Sequence, residues 1–311
     1  MQVSFVIPLY NQLALTQACL ASLRATLPRG LTHEIILVDD GSTDGTRAWL
    51  ATLRDANVRV VLNEKNLGYA AANNRGAAPA RGDSLVLLNN DLVLTRGWLD
   101  AMLSVQHRLG PKAGVIGNVQ LNLGTGEVDH VGIFIDSKAK PEHDRHRPLF
   151  RLNFLPPVRR VPAVTGACAL LDRALWNQLG GFDEAFVNGG EDVDLCFRAR
   201  AAGRVNAVAL RSVIGHHVSA SRGRQLRDER NSRRLATKWR RELESLAWHQ
   251  WSWHYLAREW HGPRDPAGCA TAFAVLLFAL RFRRQPPPIV VDGMHAAMDR
   301  EFARWQSLLG D

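Results

Sequence analysis

Apolar positions in the first half of the chain come in blocks. VSFVIPL (3–9), EIILVDD (34–40), VRVVLN (58–63) and SLVLLNND (84–91) are short runs rich in Val, Ile and Leu, each long enough for one strand. Between them, apolar residues recur at helical spacing over 13–27, through Trp49 and Leu53, and over the Ala-rich stretch 69–80. Continuous apolar runs describe strands covered on both faces, so the blocks predict an α/β fold with a mostly parallel sheet flanked by helices. Further strands are expected in 113–136 and in VPAVTGACALLD (161–172), and a short helix in RALWNQLGGF, ending at its glycines.

After about residue 225 the pattern changes to long helix, with five tryptophans from Trp239 to Trp260. Two domains are therefore expected, an α/β domain over 1–225 and a basic, Trp-rich helical C-terminal region over 226–311. The polar, Pro-punctuated stretch 138–160 reads as a mobile loop, and its His143 and His146 as exposed loop residues in preference to metal ligands. The apolar run 269–280, followed by RFRR, is shorter than the roughly 20 residues a membrane span requires. It reads as a core helix or as a helix lying in a membrane interface.

Composition narrows the class. At 46% hydrophobic and 22% charged, the 311 residues suit a globular protein with a sizeable core. The opening residues MQVSFVIPLYNQ lack a basic segment followed by a long apolar one, so no signal peptide is expected. The four cysteines form no CxxC pair, which argues against a disulfide framework or zinc site and for a cytoplasmic location. Residues 220–284 carry 14 Arg or Lys against 6 Asp or Glu, which is nearly all of the chain's net charge of +9. Such an excess suits a phosphate-rich partner: anionic lipid, a pyrophosphate-linked substrate or nucleic acid.

Polar residues gather where the predicted strands end: Tyr10 and Asn11, Asp39 and Asp40, Asn63, then Asn89, Asn90 and Asp91. Ligands of parallel sheets bind at the carboxyl ends of the strands. Neither GxGxxG after the first strand nor GxxxxGK[ST] anywhere is present, so dinucleotide and P-loop readings lose their main support. Paired aspartates in VDDGSTDGT (38–46) can accept hydrogen bonds from a base and a ribose. A carboxylate in LLNNDL can hold a divalent ion against a diphosphate, with His216 or His217 as a second protein ligand.

Taken in order, FVIPLYN, VDDGSTDGT, NLGYAAANNRG, LLNNDL, VTGACALLDR, GGFDEAFVNGGEDVDLCFRARAAG and HHVSAS resemble the family 2 glycosyltransferases of bacterial polysaccharide assembly, in particular their rhamnosyltransferase-like branch. The resemblance covers about residues 2–221. It implies a GT-A nucleotide-diphosphosugar transferase fold, inverting sugar transfer and a divalent metal, Mn2+ or Mg2+. By resemblance, Pro8, Tyr10 and Asn11 line the nucleotide pocket, Asp39 and Asp40 contact base and ribose, and Asn66, Gly68 and Asn73 lie along the donor. Asp91 is the metal-binding end of the DxD motif, which here reads Asn89-Asn90-Asp91 with one carboxylate missing. His216 completes the metal shell, with His217 the alternative.

The acidic GGEDVDLCFRAR (189–200) then acquires a role. The resemblance places Glu191 and Asp192 at a helix N-terminus beneath the acceptor sugar, with Asp192 the catalytic base and Glu191 orienting the acceptor. Asp194 is expected to anchor the helix or to pair with Arg198 at i+4. The partners implied are a dTDP- or UDP-linked sugar and a saccharide or lipid-pyrophosphate-linked acceptor, with peripheral contact at the inner face of the cell membrane. Two rivals are weaker. A sugar-phosphate nucleotidyltransferase needs a Gly-rich, cationic loop that PLYNQLALTQ lacks. A nucleic-acid-binding module built on SRGRQLRDERNSRRLATKWRR leaves the strand-end carboxylates unexplained.

Overall fold

Four strands, β1 (Gln2–Leu9), β2 (Thr32–Asp40), β3 (Val58–Asn63) and β4 (Ser84–Leu88), pair in parallel in the spatial order β3-β2-β1-β4. Helices α1 (Leu13–Thr26), α2 (Thr46–Thr52) and α3 (Tyr69–Ala77) connect them. β4 is buried at every position, as its uncharged SLVLL requires. These elements belong to a computed structural model that describes residues 2–146, 157–217, 225–260, 262 and 266–310, without the side chains of 225–227 and 259.

The chain continues through β5 (Leu92–Val93), α4 (Trp98–Leu109), β6 (Ala113–Asn122), β7 (Val128–His130), β8 (Ile133–Ile135), β9 (Pro141–His143), β10 (Val158–Arg160), β11 (Cys168–Asp172), α5 (Arg173–Leu179), α6 (Glu191–Ala201) and β12 (Val205–His216). Beyond β4 the sheet is mixed. β11 runs antiparallel to both β4 and β6, whereas β6 and β12 are parallel to each other. Strands β1 to β4, β6 and β12 thus run in one direction, as the mostly parallel sheet expected from sequence requires, with β11 reversed between β4 and β6. The chain enters β11 from the strand-end edge, through the turn at 165–167, and so must run the opposite way. Pro162 and Gly166 keep that strand shorter than its apolar run, which starts at residue 161. The fourth strand likewise ends at Leu88, before the polar residues 89–91.

The core joins Phe5, Ile7, Ile35, Leu37, Val86, Leu88 and Leu170 of the sheet to Trp98, Leu99 and Met102 of α4. Trp98 is fully buried with its ring 6.3 Å from that of Phe5. Truncating such a residue to Ala costs about 3–5 kcal/mol.

Met1–Ile133 and His143–Arg222 make one compact unit, and Phe134–Glu142 with Gly223–Asp311 the other. Residues 147–156 of the expected loop lie outside the described residues, and its flanks contribute β9 and β10. The second unit holds α7 (Gln225–His254), which breaks at Trp239, with α8 (Pro266–Ala279) and α9 (Pro288–Leu309). α9 crosses α7 where Gly293 meets Trp251: a Cβ at 293 would stand 1.9 Å from the indole. Arg240 of α7 pairs with Glu244 at 2.9 Å and with Asp299 of α9 at 2.5 Å, and Trp305 donates to Glu229 at 2.6 Å. In the short loop of the second unit, Lys140 reaches Glu301 at 3.0 Å. Part of the basic stretch therefore serves internal pairing. Among the described residues no helix is long and apolar enough to cross a membrane.

Candidate active site

Parallel pairing brings the carboxyl ends of β1 to β4, β6 and β12 to one edge, and the antiparallel β11 begins there. That edge collects the polar residues singled out from sequence. At the β1 end, Tyr10 is half exposed. The Asn11 side chain accepts from the backbone N–H groups of Thr43 at 2.8 Å and Asp44 at 3.2 Å, fixing the turn after β2. Gly41 in that turn has φ +80°, and a Cβ there would lie 2.7 Å from the backbone of Lys65 and Asn66, so only glycine lets the two loops touch.

The two aspartates of β2 are both buried and differ in their partners. Asp39 pairs with Arg47 Nε at 2.6 Å and accepts from Ser42 N at 3.3 Å. Arg47 also donates to the Asn63 carbonyl. Asp40 accepts from Asn63 Nδ2 at 2.8 Å, from Leu67 N at 3.0 Å and from Gly68 N at 2.9 Å. The structure thus turns Asp40 onto the chain's own 66–68 loop. Asn66 is exposed on that loop, Gly68 takes φ +93°, and Asn73 is fully buried in α3.

At the β4 end, Asn90 Nδ2 donates to Thr16 Oγ1 at 2.9 Å, tying the turn to α1. Asp91 Oδ1 is buried, has no hydrogen-bond partner and stands 3.4 Å from His216 Nε2. Of the histidine doublet, His216 is the one whose ring meets Asp91. His217 is exposed and donates its backbone N–H to the Asp91 carbonyl at 2.9 Å. The other imidazole nitrogen of His216 lies 3.6 Å from Asp129 Oδ2 of β7, a residue that sequence reasoning missed. Its one signal was the acid-histidine pair in EVDH. Burial alone would lower the His216 pKa, but the carboxylates of Asp91 and Asp129 outweigh it and hold the pKa above the ordinary value.

These residues fit a divalent cation. Asn73 Oδ1, Asn89 Oδ1 and Asp91 Oδ1 are buried oxygens without hydrogen-bond partners, the kind of atoms that mark a ligand's place. Two ligands at right angles on an ion with bonds of about 2.1 Å stand about 3 Å apart, close to the Asp91–His216 separation. Among the described residues no group of three or more His, Cys, Asp or Glu is arranged to hold an ion by itself. Asp129 sits on the far side of the His216 ring. Asp91 and His216 would therefore share the ion with phosphate oxygens and water, the usual habit of magnesium and manganese sites.

The acidic helix start reaches the same place through 165–167. Asn89 N donates to the Ala167 carbonyl at 2.8 Å, and Gly166 N donates to Asp192 Oδ2 at 2.9 Å. Tyr69 donates its phenol to the Gly166 carbonyl at 2.7 Å, and its backbone N–H to Asn188 at 2.9 Å. Burial, followed by the charges of Glu191 and Asp192, pushes the Tyr69 pKa well up, so it stays a donor. Glu191 is buried and accepts from Gly189 N at 2.7 Å. Asp192 remains partly exposed. Asp194 is fully buried and pairs with Arg198 Nε at 2.8 Å, as the i+4 spacing predicted. Tyr69, Gly166 and Asn188 were not singled out from sequence, because nothing local marks a residue as a hinge between distant loops.

A family model for Glycosyl transferase family 2 matches residues 4–180, which run from β1 through α5. The chain is similar to the O-antigen biosynthesis protein RfbC of Myxococcus xanthus, at 34% identity over 233 residues, 71% of this chain and 18% of that one. It is similar to an N-acetylglucosaminyl-diphospho-decaprenol L-rhamnosyltransferase of Mycobacterium tuberculosis, at 32% identity over 232 residues, 66% of this chain and 72% of that one. Among solved structures, GalNAc-T7 with UDP, GalNAc and Mn2+ matches with a TM-score of 0.63 at 19% identity, over 83% of this chain and 51% of that chain. That likeness is one of fold. The mixed sheet flanked by helices is thus a GT-A-like α/β fold. The chain belongs to glycosyl transferase family 2.

Proposed function

We propose that the strand edge binds a nucleotide diphosphate sugar and transfers the sugar, with inversion, to a hydroxyl of a saccharide acceptor. The observation that carries this is the 165–167 turn. It hydrogen-bonds the turn bearing Asp91 on one side and Asp192 on the other, so a metal-diphosphate ligand and a base adjoin one space. Pro8, Tyr10, Asn11 and Asp39 lie at the nucleoside end, and Asn66, Gly68, Asn73 and Asn90 along the donor. Asp40 holds the 66–68 loop in place.

Asp91 and His216 would hold a divalent ion, which when bound neutralises charge growing on the leaving diphosphate. Asp192 takes the proton of the acceptor hydroxyl as that oxygen attacks C1, while the bond from C1 to the diphosphate oxygen breaks on the opposite face. Positioned general bases contribute about 10²–10⁴-fold. Glu191 supports the helix start that presents Asp192 and orients the acceptor. Rhamnose as the sugar and a lipid-diphosphate-linked acceptor are supported by likeness to the M. tuberculosis protein named for that transfer, whereas a dTDP- or UDP-linked donor and a place at the cytoplasmic membrane face rest on the sequence resemblance.

Thermal unfolding with UDP, dTDP, GDP or CDP, each with manganese or with chelator, tests the donor site. Stabilisation by one diphosphate in the presence of metal is expected. No shift with any of them would overturn the reading. Asp192→Asn should keep that stabilisation and lose transfer by at least about 10²-fold. Near-normal turnover would remove Asp192 as the base and make Glu191 the next candidate.

A further inference from the structure

The C-terminal part of the second unit carries a surface that the strand-edge site does not use. Residues 266–280, PAGCATAFAVLLFAL, contain no charged side chain, and between Asp265 and Asp292 there is no Asp or Glu. The inner face of α8 is occupied in the ordinary way: Ala272, Val275, Phe278 and Ala279 are buried, and Phe278 stacks on His249 of α7 with ring centroids 4.4 Å apart. The outer face is apolar as well. Cys269, Phe273 and Leu280 fall on it at helical spacing, with Phe273 60% and Leu280 46% exposed. Such a helix, apolar all round yet covered on one side only, is unusual for a protein surface facing water.

The turn that follows adds charge to this face. Arg281 takes a left-handed φ of 66°, and the N–H groups of both Phe282 and Arg283 return to the Leu277 carbonyl at 2.9 and 3.1 Å. This hydrogen-bonded turn presents Phe282, 79% exposed, between the exposed Arg281, Arg283 and Arg284. No carboxylate in 266–291 offsets those cations.

We propose that the outer face of α8 and the 281–284 turn form a docking surface for an anionic lipid bilayer. α8 is too short to span, so it lies in the plane of the interface with Phe273, Leu280 and Phe282 among the acyl chains and the arginines at headgroup level. Charge complementarity selects this occupant over a second copy of the chain, because a two-fold contact through the patch would set arginines against arginines. The inference goes beyond the sugar-transfer reading and does not depend on it, since it concerns neither the donor nor the acceptor.

Cys269 lies on the proposed face and is exposed, whereas Cys19, Cys168 and Cys196 are buried, so an environment-sensitive fluorophore can be attached there in the intact chain. Vesicles of phosphatidylglycerol and phosphatidylcholine are compared with pure phosphatidylcholine, without sugar nucleotide or acceptor. A blue shift and co-sedimentation with the anionic vesicles alone are expected. Combined Arg281→Glu, Arg283→Glu and Arg284→Glu should weaken partitioning at least about 10-fold. Phe282→Ser, at a position too exposed to affect folding, should weaken it as well while leaving the melting temperature unchanged. Equal binding to both vesicle types, binding unaffected by these substitutions, or a concentration-dependent dimer abolished by Phe282→Ser would overturn the proposal. Loss of diphosphate binding in the unmodified chain would instead count against the transferase reading alone.

Discussion

His216 Nε2 stands 3.4 Å from Asp91 Oδ1, although 125 residues separate the two in sequence. The antiparallel pairing of β12 with β5 creates the contact, since it sets His216 opposite Leu92, the neighbour of Asp91.

If the pair holds a metal with the donor's phosphates, Asp91→Ala and His216→Ala should each abolish the manganese-dependent part of diphosphate stabilisation. His217→Ala should leave most of it, because that ring is exposed and away from Asp91. Melting curves with and without chelator distinguish the three variants.

Asp129 is expected to act through His216. A carboxylate behind a ligating imidazole fixes ring orientation and raises its basicity, and losing it typically costs about 10–100-fold in metal affinity. Asp129→Asn should therefore raise the manganese concentration needed for half-maximal diphosphate stabilisation by about that factor, with the metal-free melting temperature nearly unchanged.

Asp40 should behave as a structural residue. Removing it strands Asn63 Nδ2 and the N–H groups of Leu67 and Gly68, which it now accepts from. Buried hydrogen bonds to a charged group contribute about 1.5–3 kcal/mol each when broken. Asp40→Ala should lower stability by about 3 kcal/mol in denaturant titration, before any effect on turnover is read. An unchanged midpoint would contradict this assignment.

Acid should weaken the helical unit through Glu229. The Arg304 guanidinium hydrogen-bonded to it, with Trp305 in support, holds its pKa below the ordinary value against a smaller opposing effect of burial. A lowered folded-state pKa gives stability that is present above the unfolded pKa of about 4.3 and is lost as pH falls through the folded one. The difference in melting temperature between the parent chain and Glu229→Gln should thus be full at pH 6 and shrink as pH falls below about 4.3 through the lowered folded value. A difference that stays constant down to the most acidic pH at which the chain folds would exclude this linkage.

Much of the fold was legible in the residues themselves. Buried parallel strands must be apolar on both faces, so β1, β2 and β4 announced themselves as Val, Ile and Leu runs with polar residues where each leaves the sheet, and the half-buried edge strand β3 as a shorter run interrupted by Arg59. The i+4 pairing of Asp194 with Arg198 was equally local. Other features depended on which distant segments meet. The direction of β11 follows from where the chain re-enters the sheet. The short β5 and β7 exist because β12 and β6 offer them an edge. Asp40 and Asp39 are identical in type and adjacent in sequence, yet consecutive side chains of a strand point to opposite faces, and their partners come from separate loops. Asp129 carries only the weak local mark of the acid-histidine pair in EVDH, since its meaning is the imidazole that β12 brings within 3.6 Å. The sequence by itself thus determined the layers and the polar edge, because strand and helix periodicities are local. Tertiary structure alone decided which acid pairs with an arginine, which meets a histidine and which holds a loop, because those contacts join residues far apart in the chain.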